Sequence, residues 1–198
     1  MNGATAARAV GLAAGAMAVE AMSSTHPGRR VDRCLFGAVN RGHGVAADAI
    51  MGALTELGAI TASAGAAGVL AAAGRRGAAA RGLGAATTTW VLGQALKRAY
   101  HRARPYEALP EVVRLLIARP SGTSWPSSHP AVLLALVTAA GHDLGLSPAR
   151  RAALTALACA VAGSRVYLGV HYPSDVVAGL MLGGAVGLAW SAPGRTVQ

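Results

Sequence analysis

Residues 148–192 read PARRAALTALACAVAGSRVYLGVHYPSDVVAGLMLGGAVGLAWSA, and this stretch decides the fold class. Two apolar runs, 148–168 and 175–192, are each close to the ~20 residues needed to cross a hydrocarbon core as a helix. Ser164, Arg165, His171 and Asp175 lie at and between their facing ends. The runs are built from Ala, Gly, Leu and Val, the small and branched residues that let membrane helices pack closely. Working outward, three more runs of the same kind cover about 56–74, 77–97 and 127–145. Arg75-Arg76 divides the first two, and Gly145-Leu146-Ser147-Pro148 separates 127–145 from the next run. Ser174 is expected to cap a helix beginning at Asp175.

Composition agrees. The 198 residues are 53% hydrophobic and 13% charged, with a mean hydropathy of +0.42. Disorder is excluded, because it requires low hydrophobicity. The expected architecture is an all-α polytopic membrane bundle of six transmembrane helices, in one domain over 1–198 with a core of 31–192. The count falls to five if the Ala-rich stretch 4–22, which carries Arg8 and Glu20, lies on the bilayer surface or is a cleaved signal peptide. Residues 31–57 place Leu35, Val39, Ala46, Ile50, Met51 and Leu54 at helical spacing around a break at Asn40-Arg41-Gly42, which predicts short amphipathic helices along the membrane surface.

The formal charge is +10, from 18 basic and 8 acidic residues, and Lys97 is the one lysine. Such a surplus suits nucleic acid, anionic lipid or a phosphorylated ligand. The arginines form clusters between apolar runs rather than a stripe, and no stacking aromatics or recognisable module accompanies them, so nucleic acid is excluded as a partner. Cys34 and Cys159 are far apart, Cys159 reads as a small buried thiol, and no Cys/His cluster suggests a metal.

Charged groups at the ends of spanning helices are costly, which makes them functional candidates. One helix ends in Lys97-Arg98-Ala99-Tyr100-His101-Arg102-Ala103-Arg104-Pro105. Lys97 and Arg104 are seven residues apart, two helical turns, so they are expected on one face, with Pro105 turning the chain out of the helix. By itself this pair reads first as a basic collar for lipid phosphates, and second as half of an anion clamp. The next helix opens with Trp125-Pro126-Ser127-Ser128-His129-Pro130, placing free N–H groups, hydroxyls and an imidazole at a helix N-terminus. The third end is Ser164-Arg165, followed by His171 and, four residues on, Asp175. A carboxylate at that spacing reaches one ring nitrogen through a helix or, given Pro173, a turn, and leaves the other nitrogen free. If the helices weave up and down, all three ends meet on one membrane face. Three cations around an anion with two histidines beside it suit a phosphoryl group, whose transition state spreads charge over three equatorial oxygens.

With these residues in place, the sequence resembles the type 2 phosphatidic acid phosphatase superfamily, membrane lipid phosphatases related to vanadium haloperoxidases and class A acid phosphatases. The family pattern is Lys-x6-Arg-Pro, Pro-Ser-Gly-His and Ser-Arg-x5-His-x3-Asp. The chain has Lys97-x6-Arg104-Pro105, Pro126-Ser127-Ser128-His129 and Ser164-Arg165-x5-His171-x3-Asp175, and departs from the pattern only at Ser128, where the family has Gly. The resemblance implies that His171 attacks phosphorus and forms a phosphohistidine, that Asp175 orients it, and that His129 protonates the leaving group and then activates water. It assigns Lys97, Arg104, Arg165, Ser127 and the Ser128 amide to the phosphate oxygens, with no metal or other cofactor.

The implied partners are a phosphorylated lipid and the bilayer. Polyprenyl phosphates and diphosphates come first. The Ala/Gly/Arg bias fits a GC-rich bacterial genome, where small family members are similar to phosphatases of decaprenyl-phosphoryl ribose phosphate in cell-wall synthesis. Phosphatidic acid or phosphatidylglycerol phosphate is the second choice, and a lipid-linked phosphotransferase or a non-catalytic lipid binder the alternatives of another class. Seven basic residues on one side against eight on the other, once Lys97, Arg104 and Arg165 are set aside, decide no orientation by charge. A site on the outer face of the cell membrane is the family expectation.

Overall fold

The computed structural model describes residues 2–191, which form an all-helical bundle. Its elements are α1 (Gly3–Ser23), α2 (His26–Val39), α3 (Val45–Glu56), α4 (Ile60–Ala72), α5 (Arg76–Ala99), α6 (Pro105–Ala108), α7 (Ser128–Asp143), α8 (Pro148–Tyr167) and α9 (Pro173–Trp190). The expected runs 77–97, 127–145, 148–168 and 175–192 return as α5, α7, α8 and α9 within a few residues; position 192 lies outside the described residues.

α7 is the axis, buried almost all round from Pro130 to Leu136 and again at Ala139–Gly141, as befits a helix apolar on every side. α5, α8 and α9 surround it, α4 leans on α5, and α1 runs along α9. The α7–α9 contact is set by a stripe of glycines one turn apart. A Cβ on Gly179 would stand 2.3 Å from the Ser127 carbonyl, and one on Gly183 2.2 Å from the Ala131 carbonyl. On Gly187 it would stand 2.6 Å from Thr138 Cβ. The two backbones therefore touch, which is how helices gain packing energy where lipid removes the usual hydrophobic drive. Val10, Val69, Val91 and Val177 point outward from four helices, a surface that suits hydrocarbon rather than water.

By length and apolarity one described helix, α9, is suited to cross a bilayer, with α3 and α4 together forming a second candidate bent by 63° at its break. α1, α5 and α8 are long enough at 21, 24 and 20 residues, but charged residues dilute their apolarity, and α7 has 16 residues.

Several expectations are corrected. The run 56–74 is not one helix: it breaks at 57–59, and α4 keeps 13 residues. Gly58 sits at that break because a Cβ there would stand 2.7 Å from His129 Cβ. Ser174 does not cap α9. Tyr172 is the N-cap, and the Asp175 carboxylate accepts its N–H at 2.8 Å. Cys159 is exposed on the outside of α8 rather than buried. In α2, Leu35 and Val39 face outward while Asp32 and Phe36 face inward, because an apolar exterior leaves the interior free to hold polar groups.

Candidate active site

The cationic and histidine-bearing helix ends do meet. A cavity of about 390 Å³ is lined by Lys97, Arg104, Ser128, His129, Arg165 and His171. Ser127 and Asp175, both fully buried, lie behind its wall. Its lining also includes Ile60 of α4, Trp90 and Gln94 of α5 and Val132 of α7, so polar and apolar side chains share one space.

Lys97 is in the last turn of α5, but α5 stops at Ala99, and Arg104 is the extended N-cap of α6. The two are not on one helical face. The loop between α6 and α7 brings them together: Lys97 Nζ donates to the Thr123 and Ser124 carbonyls at 2.8 and 3.3 Å, and Arg104 donates to the Gly122 carbonyl at 2.8 Å and the Ser121 carbonyl at 3.3 Å. Arg104 Nη1 also donates to the Val170 carbonyl at 3.0 Å and lies 3.2 Å from His171 Nε2. Arg165, in the last turn of α8, donates to Thr55 Oγ1 at 2.9 Å and keeps a buried Nε without a partner. The hydroxyls of Ser127 and Ser128 are buried and unpartnered as well, and the Ser127 N–H is already given to the Asp175 carbonyl at 3.0 Å. Hydrogen-bond donors with nothing to bond are thus concentrated around one space, as an anion site requires.

His171 lies in the α8–α9 loop, 2% exposed. Burial first, then the charges of Lys97, Arg104 and Arg165, hold its imidazole well below the usual range, so it is neutral at physiological pH. With Arg104 donating towards Nε2, the ring proton belongs on Nδ1, which faces Asp175 Oδ2 at 3.5 Å. The contact runs through the turn at Pro173, not a helix. It is a charge-range contact rather than a hydrogen bond, Nδ1 having no hydrogen-bond partner, and Oδ2 already accepts from Ser124 Oγ at 2.5 Å and Tyr172 N–H at 2.8 Å.

Three polar residues of this arrangement were not singled out from the sequence. Arg102 Nη1 donates to Asp175 Oδ1 at 2.7 Å, Arg102 Nη2 to Asp32 Oδ2 at 2.5 Å, and Ser124 holds the other carboxylate oxygen. Arg102 was visible only as one more arginine in the 98–104 cluster, and nothing local marks Asp32 or Ser124. Among the described residues no group of three His, Cys, Asp or Glu side chains is placed to hold a metal ion.

An all-helical bundle with a cationic cavity of about 390 Å³ lined by two histidines has the residues of an anion-binding membrane-bundle family. The PAP2 superfamily model matches residues 78–195, and the chain belongs to that superfamily. It is 36% identical over 92 residues to decaprenylphosphoryl-5-phosphoribose phosphatase of Mycobacterium tuberculosis, covering 46% of this chain and 48% of that one. It is 38% identical over 94 residues to undecaprenyl-diphosphatase of Sulfolobus acidocaldarius, covering 47% and 44% respectively. The chain thus spans about half the length of the curated relatives it matches. Over the whole fold it resembles the crystal structure of a transmembrane PAP2-type phosphatidylglycerolphosphate phosphatase from Bacillus subtilis, with a TM-score of 0.75 and 22% identity, covering 92% of this chain and 94% of the other. The bundle therefore has the fold of that transmembrane protein.

Proposed function

We propose that the protein is a membrane lipid phosphatase that removes phosphate from a polyprenyl-linked phosphate or diphosphate through a phosphohistidine. The observation that carries this is the convergence of Lys97, Arg104, Arg165, His129 and His171 on one cavity whose lining also includes Ile60, Trp90 and Val132. A phosphate held by the Arg104 guanidinium lies next to His171 Nε2, whose lone pair attacks phosphorus as the bond to the lipid oxygen breaks. His129 gives its proton to that departing oxygen. Water then attacks the phosphohistidine, His129 takes a proton from it, and phosphate leaves with His171 restored. Asp175 holds the Nδ1 proton and balances the charge that grows on the ring. Lys97, Arg104, Arg165, the Ser127 and Ser128 hydroxyls and the Ser128 N–H hold the three equatorial oxygens. The cavity is strongly cationic, which supports catalysis without a metal. The polyprenyl substrate is favoured by the two relatives, whose names specify a decaprenyl and an undecaprenyl lipid. We place the site at the outer face of the cell membrane.

The test is phosphate release by the detergent-purified protein in the presence of EDTA. The panel holds polyprenyl phosphates and diphosphates, a polyprenyl phosphoribose phosphate, phosphatidic acid and phosphatidylglycerol phosphate, with His171→Ala as control. Release should resist EDTA, favour a polyprenyl lipid and fall by at least about 10³-fold in the variant. Release preferring a glycerophospholipid would move the substrate, and phosphate appearing on an added alcohol would make the protein a transferase. No release from any lipid would overturn the reading.

A further inference from the structure

Asp175 is fully buried, so an ionised carboxylate there needs a partner charge that His171, held neutral, does not supply. Lys97, Arg104 and Arg165 line the cavity together with His171. The carboxylate is met instead by Arg102, which does not line that cavity. One fork nitrogen of Arg102 holds Asp175 Oδ1 at 2.7 Å and also Ser174 Oγ at 2.7 Å; the other holds Asp32 Oδ2 at 2.5 Å. Asp32 closes the loop by accepting the Ser174 N–H at 2.9 Å and the Ser174 hydroxyl. The guanidinium lies over the Tyr172 ring, 4.6 Å from its centroid. Side-chain exposure is 15% for Arg102, 5% for Asp32 and 0% for Asp175, so these pairs are little screened by water.

Resting on the phosphatase reading above, we propose that Arg102, braced by Asp32, is the positioning residue of the His171–Asp175 pair. Its fork neutralises and orients the Asp175 carboxylate so that Oδ2 stays aimed at His171 Nδ1. Every ligand of that carboxylate other than His171 comes from Arg102, Ser124 and the Tyr172 backbone, and Arg102 alone among them brings charge. A planar fork can grip two carboxylates at once and stack on a ring; an ammonium can make only part of that set. The consequence lies in turnover rather than binding, because Arg102 reaches substrate only through Asp175 and His171.

The experiment is steady-state kinetics on the best lipid of the panel for wild type, Arg102→Ala, Arg102→Lys and Asp32→Asn, each checked for a monodisperse profile in detergent. Arg102→Ala should lose about 10- to 100-fold in kcat, in the range of other second-layer supports, with KM within about threefold. Arg102→Lys and Asp32→Asn should fall between. Guanidinium ion should restore part of the Arg102→Ala rate, entering by the polar cavity of about 270 Å³ that Arg102 shares with Glu20, Arg29 and His101; a purely structural loss would not respond. If Arg102→Ala does not fold, the Lys and Asn variants carry the comparison. Folded variants with kcat within twofold of wild type, or a rise in KM at unchanged kcat, would overturn the proposal while leaving the phosphatase reading intact. A wild-type protein without activity would instead overturn that reading, and the proposal with it.

Discussion

At the scale of the single residue, Ser128 shows how a departure from a family pattern is absorbed. The position belongs to Gly in the pattern because the backbone comes close to the phosphate. Here the extra side chain is housed because the facing residue in α5 is Gly93, where a Cβ would stand only 3.2 Å from Ser128 Oγ. The hydroxyl is buried and has no partner, and Ser128 lines the cavity, so on the proposed function it donates to a phosphate oxygen. Ser128→Gly should therefore keep kcat and raise KM about tenfold, the equivalent of about 1.4 kcal/mol for a hydrogen bond to a charged group. An unchanged KM would show that the hydroxyl is merely tolerated.

At the scale of the helix pair, the α7–α9 contact ties fold to site. α7 begins with Ser128 and His129, and α9 carries Asp175 in its first turn, so any separation of the two pulls the site apart. Gly183→Ala pushes a methyl against the Ala131 carbonyl and Cα, both within 2.8 Å of the new atom. Backbone cannot step aside as a side chain can. The expected cost is about 2 kcal/mol, as for other overpacked cores, and a drop of about 4–8 °C in the thermal midpoint in detergent. Gly65→Ala in α4, where nothing lies within 4 Å, should leave the midpoint unchanged or slightly higher. Equal behaviour of the two variants would refute the contact.

For the whole molecule the open quantity is which way the site faces. α2 belongs to the site's end of the bundle, since its Asp32 reaches Arg102 and Ser174. It has three faces: Asp32 and Phe36 inward, Val31 and Leu35 exposed and apolar, and Arg30, Arg33 and Cys34 exposed on the remaining side. Cys34 is thus an exposed reporter on the same end as the cavity, while Cys159 is exposed halfway along α8, on a face expected to meet lipid if α8 spans the bilayer. In intact cells a membrane-impermeant maleimide should label Cys34, and Cys159 should react only after detergent. Protection of Cys34 until lysis would place the site inside.

The all-helical class, four of the five apolar runs and the eight residues proposed for the site are legible in the sequence because each depends on local information. Runs of small apolar residues specify closely packed spans, and Lys97-x6-Arg104, Ser127-Ser128-His129 and Arg165-x5-His171-x3-Asp175 are short spacings at helix ends. What only the tertiary structure decided is non-local. Arg102 meets Asp32 and Asp175 across 70 and 73 residues, and Asp32 meets Ser174 across 142, distances over which no periodicity carries a signal. Gly58 breaks a helix because His129 needs the space, and Lys97 and Arg104 converge through loop carbonyls rather than a helical face. Cys159 faces outward and Asp32 inward for one physical reason. In a bilayer the outside of a bundle is as apolar as its core, so the usual rule that sorts inward from outward residues by polarity loses its force, and packing alone assigns the faces.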